Sequence, residues 1–167
     1  MSRPRPLAAA MALLAASPLT MAAPIPPTEL SCQFQATAKP DGQVLLQFKL
    51  NNTGKRELHL LRWGSPFEGA WFGRFLQAST PQGELAFQGA MRKRGDPAAE
   101  DYLHLAPGQS LSAELTLNDA FTVPPAGTLQ LKAAWHWHDV MVGGKPPRPR
   151  ARHQGLDQDC GKQTLKR

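Results

Sequence analysis

Short apolar segments alternate with turns along most of this chain, and this pattern limits what the chain can fold into. Within a segment every second residue is apolar, as at Val44, Leu46, Phe48 and Leu50. A period of two is typical of half-buried strands, because successive side chains point to opposite faces of a sheet. Turn residues such as those at 40–42 and 51–54 separate the segments. The chain is therefore predicted to be built from strands.

The spacing of these segments predicts an all-β fold. Strands are expected at 30–37, 44–50, 58–63, 71–79, 85–87, 103–105, 111–117 and 128–138, the last one being the final strand. No long stretch shows the helical period. We therefore expect an antiparallel β-sandwich, immunoglobulin-like, with about seven to eight strands. A Greek-key barrel is the alternative, because strand order is not readable from the pattern.

Residues 1–23 have the layout of a secretory signal peptide. Arg3 and Arg5 precede an apolar stretch from Leu7 to Leu14, and small residues follow before residue 24. The apolar stretch is shorter than the roughly 18 to 20 residues of a membrane span. We therefore expect an exported protein, periplasmic or extracellular, with a folded domain at 24–141. The alternative is a cytoplasmic protein that begins with an apolar segment.

Residues 142–167 form a basic tail with many glycines and prolines in its first part. This composition predicts an extended and mobile segment. Two roles fit it: a passive connector, or a strap that lies along a partner's groove. The net charge of the chain is +6. Since the body lacks the clustered basic face and interleaved aromatics of a nucleic-acid reader, we expect no nucleic-acid partner.

Two loops, at 62–69 and 93–102, combine glycine, proline, aromatic and charged residues. Loops of this kind on a rigid sheet often carry function. In the first loop, Gly64 can take a positive φ and the ring of Pro66 fixes the φ of that residue, so one defined shape is expected.

These loops carry a resemblance to a known family. The first reads Trp-Gly-Ser-Pro-x-Glu-Gly, and the second reads Lys-Arg-Gly-x-Pro-x-x-Glu-Asp-Tyr and is followed by Leu-x-Leu-x-Pro-Gly. In this order they resemble the amino-terminal pro-region of deuterolysins and peptidyl-Lys metalloendopeptidases, which are secreted zinc endopeptidases. The resemblance covers roughly residues 30–138. No His-Glu-x-x-His motif occurs in the chain, so the zinc-binding helix of the peptidase domain is missing and no catalytic residue is expected.

The resemblance implies a non-catalytic protein without a cofactor that acts in trans on a secreted zinc endopeptidase, as an inhibitor or folding partner. Trp63 and Tyr102 are expected to anchor the loops, while Glu68, Lys93 and Arg94 are expected to be exposed contacts. An envelope or extracellular adhesion module of the same fold is the alternative. The complete set of expected partner-binding residues is Trp63, Gly64, Pro66, Glu68, Lys93, Arg94, Asp101 and Tyr102.

Cys32 and Cys160 are the only cysteines. In an exported chain an even pair predicts a disulfide, which here would tie the tail to the first strand. The alternative is a free thiol that ligates the zinc of a peptidase and silences it.

His136 and His138 are weak candidates for a metal site. They lie two residues apart, so a strand would place both rings on one face, where they could share an ion. Trp135 and Trp137 take the inward positions, which leaves the histidines on the exposed face with no visible third ligand. The hypotheses are a metal-binding periplasmic protein or, more simply, surface histidines.

Overall fold

The computed structural model describes residues 29–167, so the predicted signal peptide lies outside the described residues. No helix in residues 29–167 is both long and apolar enough to cross a membrane. The described chain forms strands joined by loops and single 3-10 turns. The strands are β1 Leu30–Ala38, β2 Val44–Asn52, β3 Leu58–Leu61, β4 Leu76–Thr80, β5 Gly83–Glu84, β6 Tyr102–Leu105, β7 Ser110–Thr116, β8 Thr128–Trp137, β9 Val140–Val142 and β10 Leu156–Lys166.

The strands pair antiparallel in three sheets. The first sheet has the order β1-β2-β7, the second β10-β8-β4-β5 and the third β6-β3-β9. The predicted all-β sandwich is confirmed, with ten strands in the described residues instead of seven to eight. The third sheet holds the two loops that carry the family resemblance, called the signature loops from here on. The loop at 62–69 follows β3, and the loop at 93–102 leads into β6.

The core contains residues of all three sheets, and aromatic side chains join the first sheet to the second. Phe48 on β2 is 6.3 Å from Trp135 on β8 and 6.0 Å from Phe75, measured between ring centroids. Aromatic pairs at these separations are attractive as well as apolar. On β2, Val44, Leu46, Phe48 and Leu50 are all buried, and on β8 both Trp135 and Trp137 point inward. The alternation predicted for these strands is confirmed.

Two predicted strands are misplaced, because burial there does not come from sheet pairing. The strand expected at 71–79 begins only at Leu76, and the one expected at 85–87 is replaced by β5. Trp71 is buried by stacking on Phe75, with ring centroids 4.5 Å apart. Its indole N–H donates to the Thr116 carbonyl at 2.9 Å. These apolar residues fill the core from irregular backbone, and their spacing resembles that of a strand.

The prediction that the strand at 128–138 is the final strand of the chain is wrong. The strands β9 and β10 follow it, and β10 pairs with β8 from Leu156 opposite Trp137 to Lys166 opposite Thr128. The composition of β10 is the reason that sequence pattern does not predict this strand. Only Gln158 and Cys160 in it are fully buried, and most of its other positions are polar or charged. A strand at the edge of a sheet needs few apolar residues, so its period is weak.

The disulfide between Cys32 and Cys160 is confirmed, and it joins β1 to β10 across a separation of 128 residues. The free-thiol alternative is therefore wrong. A pair of hydrogen bonds also joins β10 to β1: the Gln163 side chain accepts the Ala36 N–H at 2.7 Å and donates to the Ala36 carbonyl at 3.1 Å. The tail is thus bound to the first sheet as well as to the second.

Candidate functional site

The two signature loops lie against each other. The Arg62 N–H donates to the Asp101 carbonyl at 3.0 Å, which joins the start of one loop to the end of the other. The Glu68 carboxylate accepts the Gly64 N–H at 2.9 Å and forms an ion pair with Arg94. Residues about 25 positions apart in sequence therefore form one surface.

Glu68 is an internal residue of this surface. Its side chain is 5% exposed, while that of its partner Arg94 is 23% exposed. The prediction that Glu68 is an exposed contact is wrong, because its carboxylate is turned inward to accept the backbone N–H and to neutralise the arginine. A buried carboxylate needs such partners, since desolvation otherwise disfavours its charge. Glu68 therefore holds the two loops together.

The backbone of the first loop has the predicted shape. Gly64 has a φ of +68°, in the region that favours glycine. Gly73 approaches it so closely that a Cβ there would lie 2.6 Å from the Gly64 Cα. Pro66 starts a single 3-10 turn, Pro66–Glu68, in which a proline is tolerated because its missing N–H has no partner.

Arg94 lies over aromatic rings. Its guanidinium carbon is 5.3 Å from the Trp63 ring and 5.7 Å from the Phe72 ring. Such cation–π contacts hold the guanidinium in place. Trp63 itself is half-buried and packs against a small cluster of Leu61, Tyr102 and Met141. Lys93 beside Arg94 is exposed, as predicted.

Tyr102 is buried, in agreement with the expected anchor, and its hydroxyl donates to Asp139 Oδ2 at 2.8 Å. Burial, followed by this hydrogen bond and the Asp139 charge, raises the pKa of Tyr102 far above its ordinary value. Asp139 is fully buried and accepts from Arg148 Nε at 2.9 Å. Asp101, by contrast, acts locally by accepting the Ala98 N–H at 2.9 Å. The pairing of Asp139 with Arg148 is not predictable from sequence, since either residue alone is typical of an exposed charge.

A cleft of about 370 Å³ opens beside the two loops. Its walls come from the end of β3, from both loops, from the residue that follows β8 and from the basic tail. The pKa of His138 is lowered by burial first and then by His136 and His153. An aromatic face with several cationic or polarisable groups suits an acidic or carboxylate-bearing partner. The lining residues are Leu61, Trp63, Arg94, His138, Arg150 and His153.

Arg150 places the tail at this cleft. Its side chain pairs with Asp96 at 3.0 Å and donates to the Gly95 carbonyl, both in the second loop. The tail is therefore a strap on its own body, and it completes the surface that the loops begin.

The two candidate metal ligands, His136 on β8 and His138 just after it, are both exposed, as predicted, with ring centroids 5.9 Å apart. His136 Nδ1 is 2.7 Å from Asp157 Oδ1 on β10, a partner the sequence did not reveal. Among residues 29–167, however, a three-ligand cluster forms elsewhere, at Glu57, His59 and His104. Sequence spacing does not indicate this cluster, because strand pairing alone brings His104 to the other two.

The fold and the site together define a disulfide-bonded β-sandwich with a cleft built by two loops and the tail. No protein-family model matches the chain. Over 132 residues it is 26% identical to an extracellular protease of Aeromonas hydrophila, and the match covers 79% of this chain and 36% of that protein. The chain thus contains a region similar to part of an extracellular protease. The disulfide and this similarity are both consistent with an exported protein.

Similar solved structures include the ApaA protein from Bordetella pertussis, at a TM-score of 0.43 and 10% identity, covering 82% of this chain and 92% of that one. Another is the structural-genomics target SoR45, at a TM-score of 0.39 and 8% identity, covering 84% and 89%. Both TM-scores are low, and neither structure contributes to the function proposed below.

Proposed function

We propose that this protein is a non-catalytic partner of a secreted zinc endopeptidase and acts on it in trans, as an inhibitor or folding partner. The observation that carries the proposal is the similarity of 132 residues to part of an extracellular protease. The chain itself has no His-Glu-x-x-His motif with which to hold a catalytic zinc. The similarity therefore supports a role beside a peptidase and not as one.

The proposed contact surface is the cleft between the two loops and the tail. Its exposed cations are Arg150, which lines the cleft, and Lys93, which precedes the lining residue Arg94 in the second loop. The half-buried Trp63 and Arg94 also line the cleft. Half-buried aromatic and arginine side chains are the residues that most often dominate binding energy at interfaces. Glu68, Gly64, Pro66 and Tyr102 then keep this surface in shape and contact the partner little.

The proposal is tested by capture followed by an enzyme assay. Residues 24–167, tagged at the amino terminus and with the disulfide intact, serve as bait in periplasmic extract and culture fluid of the source organism. We expect a peptidase with a His-Glu-x-x-His motif to be recovered. Purified, it should be inhibited at one equivalent of this protein, or should regain more activity when refolded in its presence.

A pair of double variants tests the surface. Lys93→Ala with Arg150→Ala removes one exposed cation that lines the cleft and one next to its lining residue Arg94, and we expect the affinity for the captured peptidase to fall about tenfold or more. Lys49→Ala with Lys132→Ala removes two exposed cations from β2 and β8, and should leave binding unchanged. Equal affinities for the two variants would place the contact elsewhere on the molecule.

Failure to recover any peptidase from either fraction would overturn the proposed function. The adhesion-module alternative would then be tested by binding of the same bait to washed cells and to the insoluble envelope fraction.

A further inference from the structure

Strand pairing in the third sheet brings two histidines side by side. His59 on β3 lies directly opposite His104 on β6, and residues opposite each other in an antiparallel pair have neighbouring side chains. Their ring centroids are 5.2 Å apart. Glu57 precedes β3 by one residue, and its carbonyl accepts the Gly143 N–H at 2.8 Å, which extends the pairing beyond β9. Being two residues before His59, Glu57 shares its face.

The donor atoms of these three residues converge. Glu57 Oε1 is 2.6 Å from His104 Nε2 and 3.0 Å from His59 Nε2. The three donor atoms all lie within 4.8 Å of one another. In a tetrahedral site with bonds of about 2.1 Å, donors stand about 3.4 Å apart. The Glu57 and His104 side chains are 45% and 55% exposed, so both have room for the shift of about an ångström or less that opens their contact to that spacing.

His59 supplies an independent sign of a ligand. Its side chain is 9% exposed, and its Nε2 makes no hydrogen bond with the described part of the chain. The nearby Glu57 oxygen lies within ion-pair distance but outside hydrogen-bond geometry. A buried ring nitrogen without a hydrogen bond is costly, so native structures usually give it a partner. A metal ion at the point where the three donors meet would be such a partner.

The donor types select the ion. Two imidazole nitrogens with one carboxylate oxygen favour zinc or copper(II), whereas calcium and magnesium prefer sites made of oxygen alone. Three protein ligands leave one position of a tetrahedral zinc ion open to water. His136 and His138 offer a poorer site, since in the described residues their donor atoms and that of Asp157 do not all lie within 4.8 Å of one another.

We propose that Glu57, His59 and His104 form a zinc-binding site on the outer face of the third sheet. The ion would join β6 to β3 and fix the Glu57 segment beside β9. It lies on the same sheet as Leu61 and Tyr102, which pair with each other two register steps nearer to the two signature loops. This site is independent of any peptidase partner.

Calorimetric titration of the tag-free protein with zinc chloride, in a non-chelating buffer and with the disulfide intact, tests the proposal. We expect one zinc ion per chain, comparable or tighter binding of copper(II), and no heat with calcium chloride. His104→Ala and Glu57→Gln should each weaken zinc binding about tenfold or more. Both substitutions are at exposed side chains, and circular dichroism would verify that the variants fold.

The double variant His136→Ala with His138→Ala is the matched control, because it removes two imidazoles from another exposed strand face. It should bind zinc with the affinity of the unchanged protein. The proposal is overturned if the unchanged protein binds neither zinc nor copper(II). It is equally overturned if the control loses zinc while His104→Ala keeps it.

Discussion

At the scale of single residues, the buried charge of Asp139 organises the region around the loops. The side chain is fully buried and receives hydrogen bonds from the Tyr102 hydroxyl, the Arg148 guanidinium and the Gln154 N–H. A buried carboxylate is tolerated only when its charge and lone pairs are satisfied in this way. Removing one partner leaves the charge uncompensated.

Replacing Arg148 by alanine should lower the free energy of unfolding by about 3 kcal/mol, because it leaves Asp139 buried without its counter-charge. Urea unfolding followed by tryptophan fluorescence measures this. Arg150→Ala is the control, since Arg150 and Asp96 form an exposed pair with side chains 52% and 90% exposed. Such a pair contributes at most about 1 kcal/mol. Similar losses in the two variants would show that Asp139 does not depend on Arg148.

Tyr102 offers a direct test of burial, because it is the only tyrosine in the chain. Its pKa is raised by burial and by Asp139, so its phenolate should form in the folded protein only well above the ordinary pKa of about 10. A raised folded pKa stabilises the fold below the unfolded value, and this contribution is lost as the pH rises beyond it. Stability should therefore decline above about pH 10.

The near-ultraviolet absorbance of tyrosinate, titrated with and without denaturant, measures this shift. The native curve should lie at higher pH than the denatured one, and Tyr102→Phe should abolish the signal. Coincident native and denatured curves would contradict the burial of this hydroxyl.

At the scale of elements, β10 is the strand that joins the first sheet to the second. It pairs along β8 and is linked to β1 by the disulfide and by Gln163. The turn at Arg150–Arg152 precedes it, so β10 also determines where Arg150 meets the second loop. One strand thus contributes both to the core and to the proposed contact surface.

Replacing both Cys32 and Cys160 by alanine should lower the free energy of unfolding by about 4 kcal/mol, since the bridge closes a loop of 128 residues in the unfolded chain. Urea unfolding of the double variant and of the reduced unchanged protein should agree. A loss below about 1 kcal/mol would show that β10 and Gln163 hold the tail without the bridge.

At the scale of the whole molecule, the tail belongs to the folded unit. Gln158 and Cys160 are both buried, and Arg148 satisfies a buried carboxylate outside the tail. The body predicted at 24–141 therefore lacks residues on which its own core and loops depend. A chain cut at residue 141 would expose the edge of β8 and the Asp139 charge.

We expect the fragment 24–141 to show no cooperative urea unfolding transition, whereas the full chain should unfold in one. The full-length Cys32→Ala with Cys160→Ala variant is the control, because it lacks the disulfide but keeps β10. It should still unfold cooperatively. A cooperative transition in the fragment would mean that the residues up to 141 form a domain by themselves.

Local pattern predicted much of the fold but only part of the site. The inward faces of β2 and β8 follow from a period of two, and the positive φ of Gly64 follows from its loop. Two predictions failed in opposite ways. Residues 71–73 were expected in a strand because they are largely apolar, but they lie outside the strands, whereas β10 is a paired strand that contains few apolar residues. The spacing of apolar residues indicates which side chains are buried. It indicates strand pairing only where the buried residues lie in a paired strand.

By itself, the sequence determined the all-β class, the pairing of its only two cysteines, and the two loops that carry the resemblance to peptidase pro-regions. The all-β class and the two loops follow from local residue patterns, and two cysteines can form only one intrachain disulfide. A single sequence is therefore enough to predict them. The tertiary structure decided the inward turn of Glu68, the pairing of Asp139 with Arg148, and the meeting of Glu57 and His59 with His104. Each of these depends on strand order and register, which bring together residues that sequence spacing leaves unrelated.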